Sequence, residues 1–450
     1  MYFKKFLAMY QNTTLEKTVE EVIKEYLQQQ KQSPFLQITA AVSAPVLFSF
    51  VWWILKTAQQ KQLRRIYFLA RDGYLLHQYA LRICEAYQIP IECRYLYSSR
   101  ISWRIPSFHL IGEEAFQMIF TGGYYITPEV ILKRICLSKK EREWVYGLIG
   151  LAPERWNQRL SKKEYLEFAR MIWENFDFRT LLEQKSKNAY QNTIGYLEQE
   201  GLLDGDPVVI ADTGWTGSMQ RTLRQLLESA NVTSPIVGFY FGMFESPKDP
   251  RDGTYFTWYF SKQSSISDRI KFNNNLLECI CIAPHPMTIA YQRQHDHYLP
   301  VWKEDNATNL TQSDFTLQYQ IHISFLKKLL QESSLQDFQQ QPLHDMSKRL
   351  LQKMMYHPSQ EEALAYESCY FCDDVAESYR NPVVQRVTQQ QIKQYQFFRR
   401  LLQKFILKTS EDTPDLFWSY GTIALSDIRW KSWYRFQLYL WDWVRMLKMK

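Results

Sequence analysis

The most informative chemical motif in the sequence is VVIADTGWTGSMQ at positions 208–220. An apolar run typical of a buried strand ends at Asp212. A short loop with two glycines and two hydroxyl residues follows, and a helix begins near Ser218. Such a loop directs backbone N–H groups toward one point at a helix N-terminus, where a phosphate binds well. Asp212 would lie beside that anion, where sugar hydroxyls or a metal ion could meet it. An ordinary strand-to-helix turn with an aspartate cap is the simpler alternative.

The spacing of this motif excludes the common phosphate-binding loops. No Gly-Lys-Ser/Thr follows, so the loop is not of the Walker type, and its glycines do not fit G-x-G-x-x-G. A phosphatase of the haloacid dehalogenase class would require a second aspartate two residues after Asp212, where this sequence has Gly214.

A second motif, LARDGY at positions 69–74, also follows an apolar run. Arg71 offers paired donors to an anion, Asp72 adds a carboxylate, and Gly73 permits a positive φ or a close backbone approach. Alone, this sequence favours a salt-bridged turn. Because the carboxyl ends of parallel strands meet at one edge of a sheet, however, this loop and the first could share one crevice.

Two further groups are candidates for the same crevice. Arg100 and Arg104 lie four residues apart beside Ser99, a spacing that suits a diphosphate or simply a solvated basic face. Glu278 lies in an apolar stretch, where a carboxylate is costly unless it is paired or used. His285, flanked by prolines, could be a base or a loop residue.

The pattern of apolar runs predicts an α/β fold with a parallel sheet. Predicted strands cover 66–70, 91–97, 207–211 and 236–244, and predicted helices cover 74–87 and 218–230. The stretch 105–199 and the chain beyond about 300 are mostly helical. We therefore expect N-terminal helices that pack on the core over 1–64, an α/β core over 65–104 and 201–295, a helical insertion over 105–200, and a helical C-terminal region over 296–450.

Composition narrows the class of protein. The chain has 450 residues, 46% of them hydrophobic, and only 15 glycines, which excludes a disordered chain and argues against a turn-rich all-β fold. The net charge of +7 fits an anionic substrate or a membrane surface, and we assign no nucleic-acid partner. Seven cysteines do not indicate a disulfide framework, and the pair Cys369 and Cys372 lacks two further zinc ligands.

Two segments of the sequence could associate with a membrane. Ile38 to Leu55 is eighteen residues without a formal charge. It runs into a predicted strand, which favours a buried helix over a transmembrane one. Residues 430–450 are rich in Trp, Leu and basic residues. They could form a helix in the headgroup layer or one that docks on the protein. With no signal peptide apparent, we expect a cytoplasmic protein, with peripheral contact at the inner face of the membrane as an added hypothesis.

Together these motifs resemble a family of bacterial surface-polysaccharide biosynthesis proteins, often described only as predicted hydrolases of the haloacid dehalogenase superfamily. The resemblance rests on FLARDG at 68–73, YLYSSR at 95–100, DTGWTGSMQ at 212–220, and LE at 277–278 with APH at 283–285, and it covers about residues 35–295. Many members carry a dehalogenase-type phosphatase ahead of this region. This sequence has no Asp-x-Asp-x-Thr motif, so we expect a separate phosphatase as a partner.

The matched region is similar to a phosphoribosyltransferase, whose apolar strand, paired acids and Thr-Gly loop hold the 5-phosphate of phosphoribosyl diphosphate (PRPP). The run 208–210, Asp212 and the loop at Thr216 fit that pattern, whereas Ala211 replaces the first acid. The resemblance implies transfer of 5-phosphoribose from PRPP to a hydroxyl of a lipid-linked glycan, with a β-ribofuranosyl product. Residue Asp212 would stabilise the ribosyl cation, and either Asp72 or Glu278 would be the base.

Mg²⁺ is the implied cofactor and would arrive mainly with the diphosphate, with Asp72 as a candidate ligand. A phosphohydrolase and a non-catalytic phosphoglycan-binding component of the capsule machinery are the alternative functions. The substrate-binding residues that the motifs and the resemblance suggest are Arg71, Gly73, Ser99, Arg100, Arg104, Thr213, Gly214, Trp215, Thr216, Gly217, Ser218, Gln220 and His285.

Overall fold

The computed structural model describes residues 4–29, 33–121, 125–304, 310–372, 374–402 and 416–448. It confirms the α/β class, the parallel sheet, the helical insertion and the helical C-terminal region. The main sheet has five strands, which are β1 (Arg65–Leu69), β2 (Glu92–Leu96), β3 (Val208–Trp215), β4 (Ile236–Met243) and β5 (Thr254–Phe260).

All neighbouring strands of this sheet are parallel, and their spatial order is β2-β1-β3-β4-β5. The chain first moves outward from β1 to β2 and then returns to place β3 on the other side of β1. Tyr67 of β1 is in register with Ile210 of β3. Such a reversal opens a crevice at the carboxyl ends of the two central strands, which is where open α/β sheets bind ligands.

The N-terminal helices and the first crossover come before the insertion. They are α1 (Lys4–Leu7), α2 (Thr13–Gln29), α3 (Pro34–Ile38), a π-helical turn (Thr39–Ser43), α4 (Ala44–Gln60) and α5 (Gly73–Tyr87). The insertion consists of α6 (Arg100–Ile111), α7 (Glu114–Ile119), α8 (Pro128–Lys133), α9 (Lys139–Leu148), α10 (Lys162–Glu174) and α11 (Phe176–Gln199).

The second half of the core is followed by a hairpin and the C-terminal region. These elements are α12 (Ser218–Ser229), α13 (Ile266–Ile270), α14 (Asn274–Ile280), β6 (Thr288–Gln294), β7 (His297–Trp302), α15 (Gln312–Glu332), α16 (Gln340–Tyr356), α17 (Gln360–Leu364), β8 (Tyr370–Phe371), β9 (Asn381–Pro382), α18 (Gln389–Ile392), α19 (Phe397–Leu401), α20 (Ser419–Leu425) and α21 (Lys431–Lys448). Short 3₁₀ turns cover Pro153–Arg155, Pro250–Asp252, Leu335–Asp337 and Lys393–Tyr395.

The continuous helical segment from α3 to α4 forms the centre of the core. Within the described residues it is the one segment long and apolar enough to span a membrane, with a mean hydropathy of 1.9, yet 94% of that window is buried inside the protein. Phe50 packs against Phe241 of the sheet, with ring centroids 5.1 Å apart. The Trp52 indole donates a hydrogen bond of 3.1 Å to the Phe338 carbonyl of the C-terminal region. The buried-helix interpretation is therefore confirmed.

Element ends do not coincide with the expected domain boundaries. Helix α6 begins at Arg100, inside the expected core range 65–104, and runs on into the insertion. The hairpin of β6 and β7 crosses position 295. Inside the insertion, Ser138 and Ser161 cap α9 and α10 in reciprocal capping boxes, as their Ser-x-x-Glu spacing predicts.

Candidate functional site

A cleft of about 280 Å³ lies at the carboxyl ends of β1 and β3. Its walls come from four stretches near the sheet, which are 69–72, 98–100, 212–219 and 274–287, and from the C-terminal residues 371–372 and 374–377. The position agrees with the reversal in strand order described above. The cleft brings together Arg71, Asp72, Asp212 and Glu278, which come from distant parts of the sequence.

The floor of the cleft differs from the sequence expectation in one respect. Strand β3 continues through Asp212 to Trp215, whereas we predicted a loop after position 211. Gly214, with φ +125°, permits this, because a Cβ there would lie 2.0 Å from the Gly242 carbonyl oxygen of β4. Only Thr216 and Gly217 remain as a loop. Gly217 adopts φ +68° as the N-cap of α12, so the N-terminus of this helix still lies at the cleft.

Four hydrogen bonds hold the acids of the cleft in place. The Thr213 hydroxyl donates to the Asp72 carboxylate and thereby joins the end of β1 to β3. The Thr213 amide donates to Asp212 Oδ1 at 2.9 Å. The Trp215 indole donates to Glu278 Oε1 at 2.9 Å, and the Asn274 side chain also hydrogen-bonds to that carboxyl group.

The three acids are difficult to ionise together. Burial, reinforced by the negative charge of Asp72, raises the pKa of Asp212 to about 8. Burial and the same neighbouring charge raise the pKa of Glu278 to about 7. Burial also raises the pKa of Asp72, although the Thr213 hydrogen bond and two nearby arginines oppose the rise. Such a cluster stabilises a positive charge placed among its members.

Two arginines provide the cationic wall of the cleft. Arg71 follows β1 after a cis peptide bond and forms an ion pair with Glu377. Arg100 is the first residue of α6, and its exposed side chain lines the cleft. The N-cap of that helix is Ser99, which accepts a hydrogen bond from the Ser102 amide at 3.0 Å and donates to the Thr288 carbonyl at 2.6 Å. Thr216 and Ser218 also line the cleft and add two hydroxyl groups.

Gly73 and Gln220 were expected to bind substrate but do not line the cleft. A Cβ at Gly73 would lie 2.8 Å from the Phe68 carbonyl carbon, so glycine is needed there for close packing of α5 on β1. The buried Gln220 amide donates to the Asp252 carbonyl at 2.5 Å and accepts from the Tyr240 hydroxyl at 2.8 Å. The structure therefore places both residues in supporting positions.

Arg104, His285 and Gly217 also lie outside the cleft wall. Arg104 is one helical turn beyond Arg100, and burial lowers the pKa of its guanidinium. The His285 ring nitrogen Nε2 is 2.7 Å from the Tyr95 hydroxyl, and burial lowers the pKa of this ring.

Sequence reasoning missed residues 371–372 and 374–377, which form one side of the cleft. Glu377 pairs with Arg71, and Asp374 pairs with Arg134 of the insertion at 2.9 Å. Cys372 lines the cleft, and its thiol donates to the Tyr379 carbonyl at 2.7 Å. Across the described ranges, no three His, Cys, Asp or Glu side chains are grouped to hold a metal ion by themselves.

The comparisons with known proteins add no family assignment. No model of a protein family matches this sequence, and no curated protein shows significant similarity to it.

Proposed function

We propose that this protein is a glycosyltransferase of surface-polysaccharide biosynthesis that transfers 5-phosphoribose from PRPP to a glycan hydroxyl. One observation carries the proposal. The N-terminus of α12, the carboxyl group of Asp212 and the guanidinium groups of Arg71 and Arg100 line a single cleft at the switch point of the sheet. PRPP requires this combination, because it has an anion at each end of a ribose ring.

Donor binding follows from the two ends of the cleft. The 5-phosphate would lie at the start of α12, near Thr216 and Ser218, which bind it without reacting. The diphosphate would lie toward Arg71 and Arg100. Asp72 would ligate an Mg²⁺ ion carried by the diphosphate, and that ion would supply charge neutralisation for the leaving group. Asp212 then lies between the two anions, beside the ribose.

The chemical step exchanges one C–O bond for another. The glycan oxygen bonds to the anomeric carbon, the bond to the diphosphate breaks, and the diphosphate leaves with the electron pair. The acceptor proton passes to a carboxylate, either Asp72 or Glu278. Positive charge develops on the ribose, and Asp212 stabilises it electrostatically. Because PRPP is α-configured, a single displacement gives a β-ribofuranoside, from which a separate phosphatase would remove the phosphate.

The location of the reaction follows from the acceptor class. We propose a cytoplasmic enzyme that meets a lipid-linked glycan at the inner face of the membrane through α21. One face of this helix buries Tyr434, Leu438 and Met446, whereas the opposite face exposes large apolar side chains. The exposed set consists of Trp433 (48% exposed), Phe436 (50%), Trp443 (43%) and Leu447 (37%), and Trp430, just before the helix, is also exposed. Residues 449–450 of the predicted membrane segment lie outside the described residues.

One assay separates this function from its alternatives. The full chain is incubated with PRPP, Mg²⁺ and a panel of glycan acceptors, and free diphosphate and free phosphate are measured. Diphosphate release that requires an acceptor supports transfer. Release of phosphate alone indicates a phosphohydrolase. PRPP binding with no release of either product indicates a non-catalytic component.

A further inference from the structure

A second cleft of about 300 Å³ adjoins the first. It lies among α13, α14, α20 and α21. It shares Asn274 and Phe371 with the first cleft, to which we assign PRPP. Asn274 also hydrogen-bonds to Glu278. A ligand in the second cleft would therefore approach the first cleft from the side on which Glu278 lies.

The lining of the second cleft combines aromatic rings with polar side chains. Trp441 and Tyr420 contribute rings, and the Tyr420 hydroxyl donates to Asp442 at 3.4 Å. The amide groups of Asn273 and Asn275 donate to the Phe417 carbonyl at 2.7 and 3.0 Å, which fixes this wall. Flat apolar surface with a few oriented polar groups suits a sugar ring.

The charge of this lining favours an anion. Lys271, Arg400 and Arg445 contribute three positive charges against one acid, Asp442. Burial raises the pKa of Asp442, although Arg445 and Arg400 oppose the rise. The Arg400 guanidinium lies 5.0 Å from the centre of the Trp441 ring, so positive charge and aromatic surface occur together.

We propose that the second cleft binds the glycan acceptor through a sugar that bears a carboxylate or a phosphate, and that it places the acceptor hydroxyl against Glu278 as the base. This inference rests on the proposed function and decides between its two candidate bases. Asp72 accepts a hydrogen bond from Thr213 and follows Arg71 directly, which places it on the diphosphate side of the donor.

In the resulting step, the acceptor O–H proton moves to the Glu278 carboxylate as its oxygen bonds to the anomeric carbon. The diphosphate departs with the electron pair of the broken bond. A carboxyl group with a pKa of about 7 is suited to accept this proton near neutral pH.

Ligand-observed NMR with the full chain tests the binding site. The probes are N-acetylglucosamine, glucuronic acid and N-acetylglucosamine 1-phosphate. We expect at least one charged probe to bind at least fivefold more tightly than the neutral sugar, and which one does so distinguishes a carboxylate from a phosphate. Arg445→Glu should abolish this preference, because Arg445 is an exposed part of the lining. Arg429→Glu, an exposed residue of the same region outside the cleft, should not.

Equal binding of all three probes, or an unchanged preference in Arg445→Glu, would overturn the site. Thermal shifts with PRPP and Mg²⁺ are measured in the same variants to test the donor assignment separately. Because Arg445 lies outside the first cleft, a normal PRPP shift in Arg445→Glu would leave the donor assignment intact even if the acceptor site fails. As a test of the base, Glu278→Gln should keep the thermal shift that PRPP causes but should transfer phosphoribose at least 100-fold more slowly than wild type. The transfer rate of wild type should rise as pH increases through about 7, and this rise should be absent in the variant. A variant that keeps that pH profile would exclude Glu278 as the base.

Discussion

Glu377 of the C-terminal region forms an ion pair with Arg71, the second residue after the end of strand β1. Both side chains line the cleft, and both are mostly buried. The Lys303 ammonium group donates to the Glu377 carbonyl at 3.1 Å, which anchors the acid from the other side. An acid thus contacts the guanidinium that we assign to the diphosphate.

Replacing this acid should strengthen diphosphate binding. In Glu377→Gln, the carboxylate no longer competes for Arg71, and we expect Kd for PRPP in Mg²⁺ to fall about fivefold, or about 1 kcal/mol. Titration calorimetry measures the change. Glu367→Gln removes a surface partner of Arg386 and serves as the matched control, with unchanged affinity expected. Weaker PRPP binding in Glu377→Gln would show that the acid supports the site instead.

Asp212 should be essential for turnover and dispensable for folding. Asp212→Asn keeps the shape of the side chain but cannot ionise beside the developing ribosyl cation, and we expect a loss of about 3–4 kcal/mol of transition-state stabilisation, or about 100- to 1000-fold in rate. Steady-state diphosphate release measures it. Asp206→Asn, an exposed change just before β3, is the control. A rate for Asp212→Asn within threefold of wild type would refute the assigned role.

The same acid should make stability depend on pH. The pKa of Asp212 is about 8 in the folded chain against an ordinary value of 3.8, so the folded state holds the proton more tightly than the unfolded state. Its contribution to stability is complete below about pH 4 and is lost as pH rises toward 8. In the absence of ligand, Tm should therefore fall less between pH 5 and pH 8 in Asp212→Asn than in wild type. Equal falls would mean that Asp212 ionises normally.

The sequence predicts those parts of the fold whose signals are local. The apolar runs of β1 and β3 are covered on both faces, and the run Ile38–Leu55 packs on the sheet, so their composition alone indicates burial. Strand β5 was not among the predicted strands, although its run Thr254–Phe260 is aromatic, and residues 244–253 join it to β4 with a 3₁₀ turn in place of a crossover helix. The extension of β3 to Trp215 depends on the pairing of Gly214 with Gly242, which is a contact between strands.

The same distinction applies to the site. The acids and arginines at strand ends could be predicted, since strand polarity places them at one edge of the sheet. Gln220 could not be assigned correctly, because its partners Tyr240 and Asp252 come from later elements. Glu377 and Asp374 lie in a polar stretch without periodicity. Only the packing of the C-terminal region brings them to the cleft.

The exposed face of α21 should bind anionic membranes. Trp433→Gln with Phe436→Gln removes two half-exposed rings and leaves the buried face intact, so we expect a normal fold and at least a fivefold loss of flotation with vesicles of phosphatidylglycerol and phosphatidylcholine. Phe176→Gln, an exposed change in the insertion, is the control. Equal flotation of wild type and the double variant would exclude this surface.

Titration calorimetry of the full chain with PRPP tests the central claim most directly. In the presence of Mg²⁺ we expect saturable binding of PRPP with one site per chain, at least tenfold weaker binding of ribose 5-phosphate, and no binding of UDP-glucose. The reason is that the proposed donor site takes a 5-phosphate near the start of α12 and a diphosphate near Arg71 and Arg100, all of which line the cleft. Tighter binding of UDP-glucose than of PRPP, or no PRPP binding at all, would contradict the assignment of the donor.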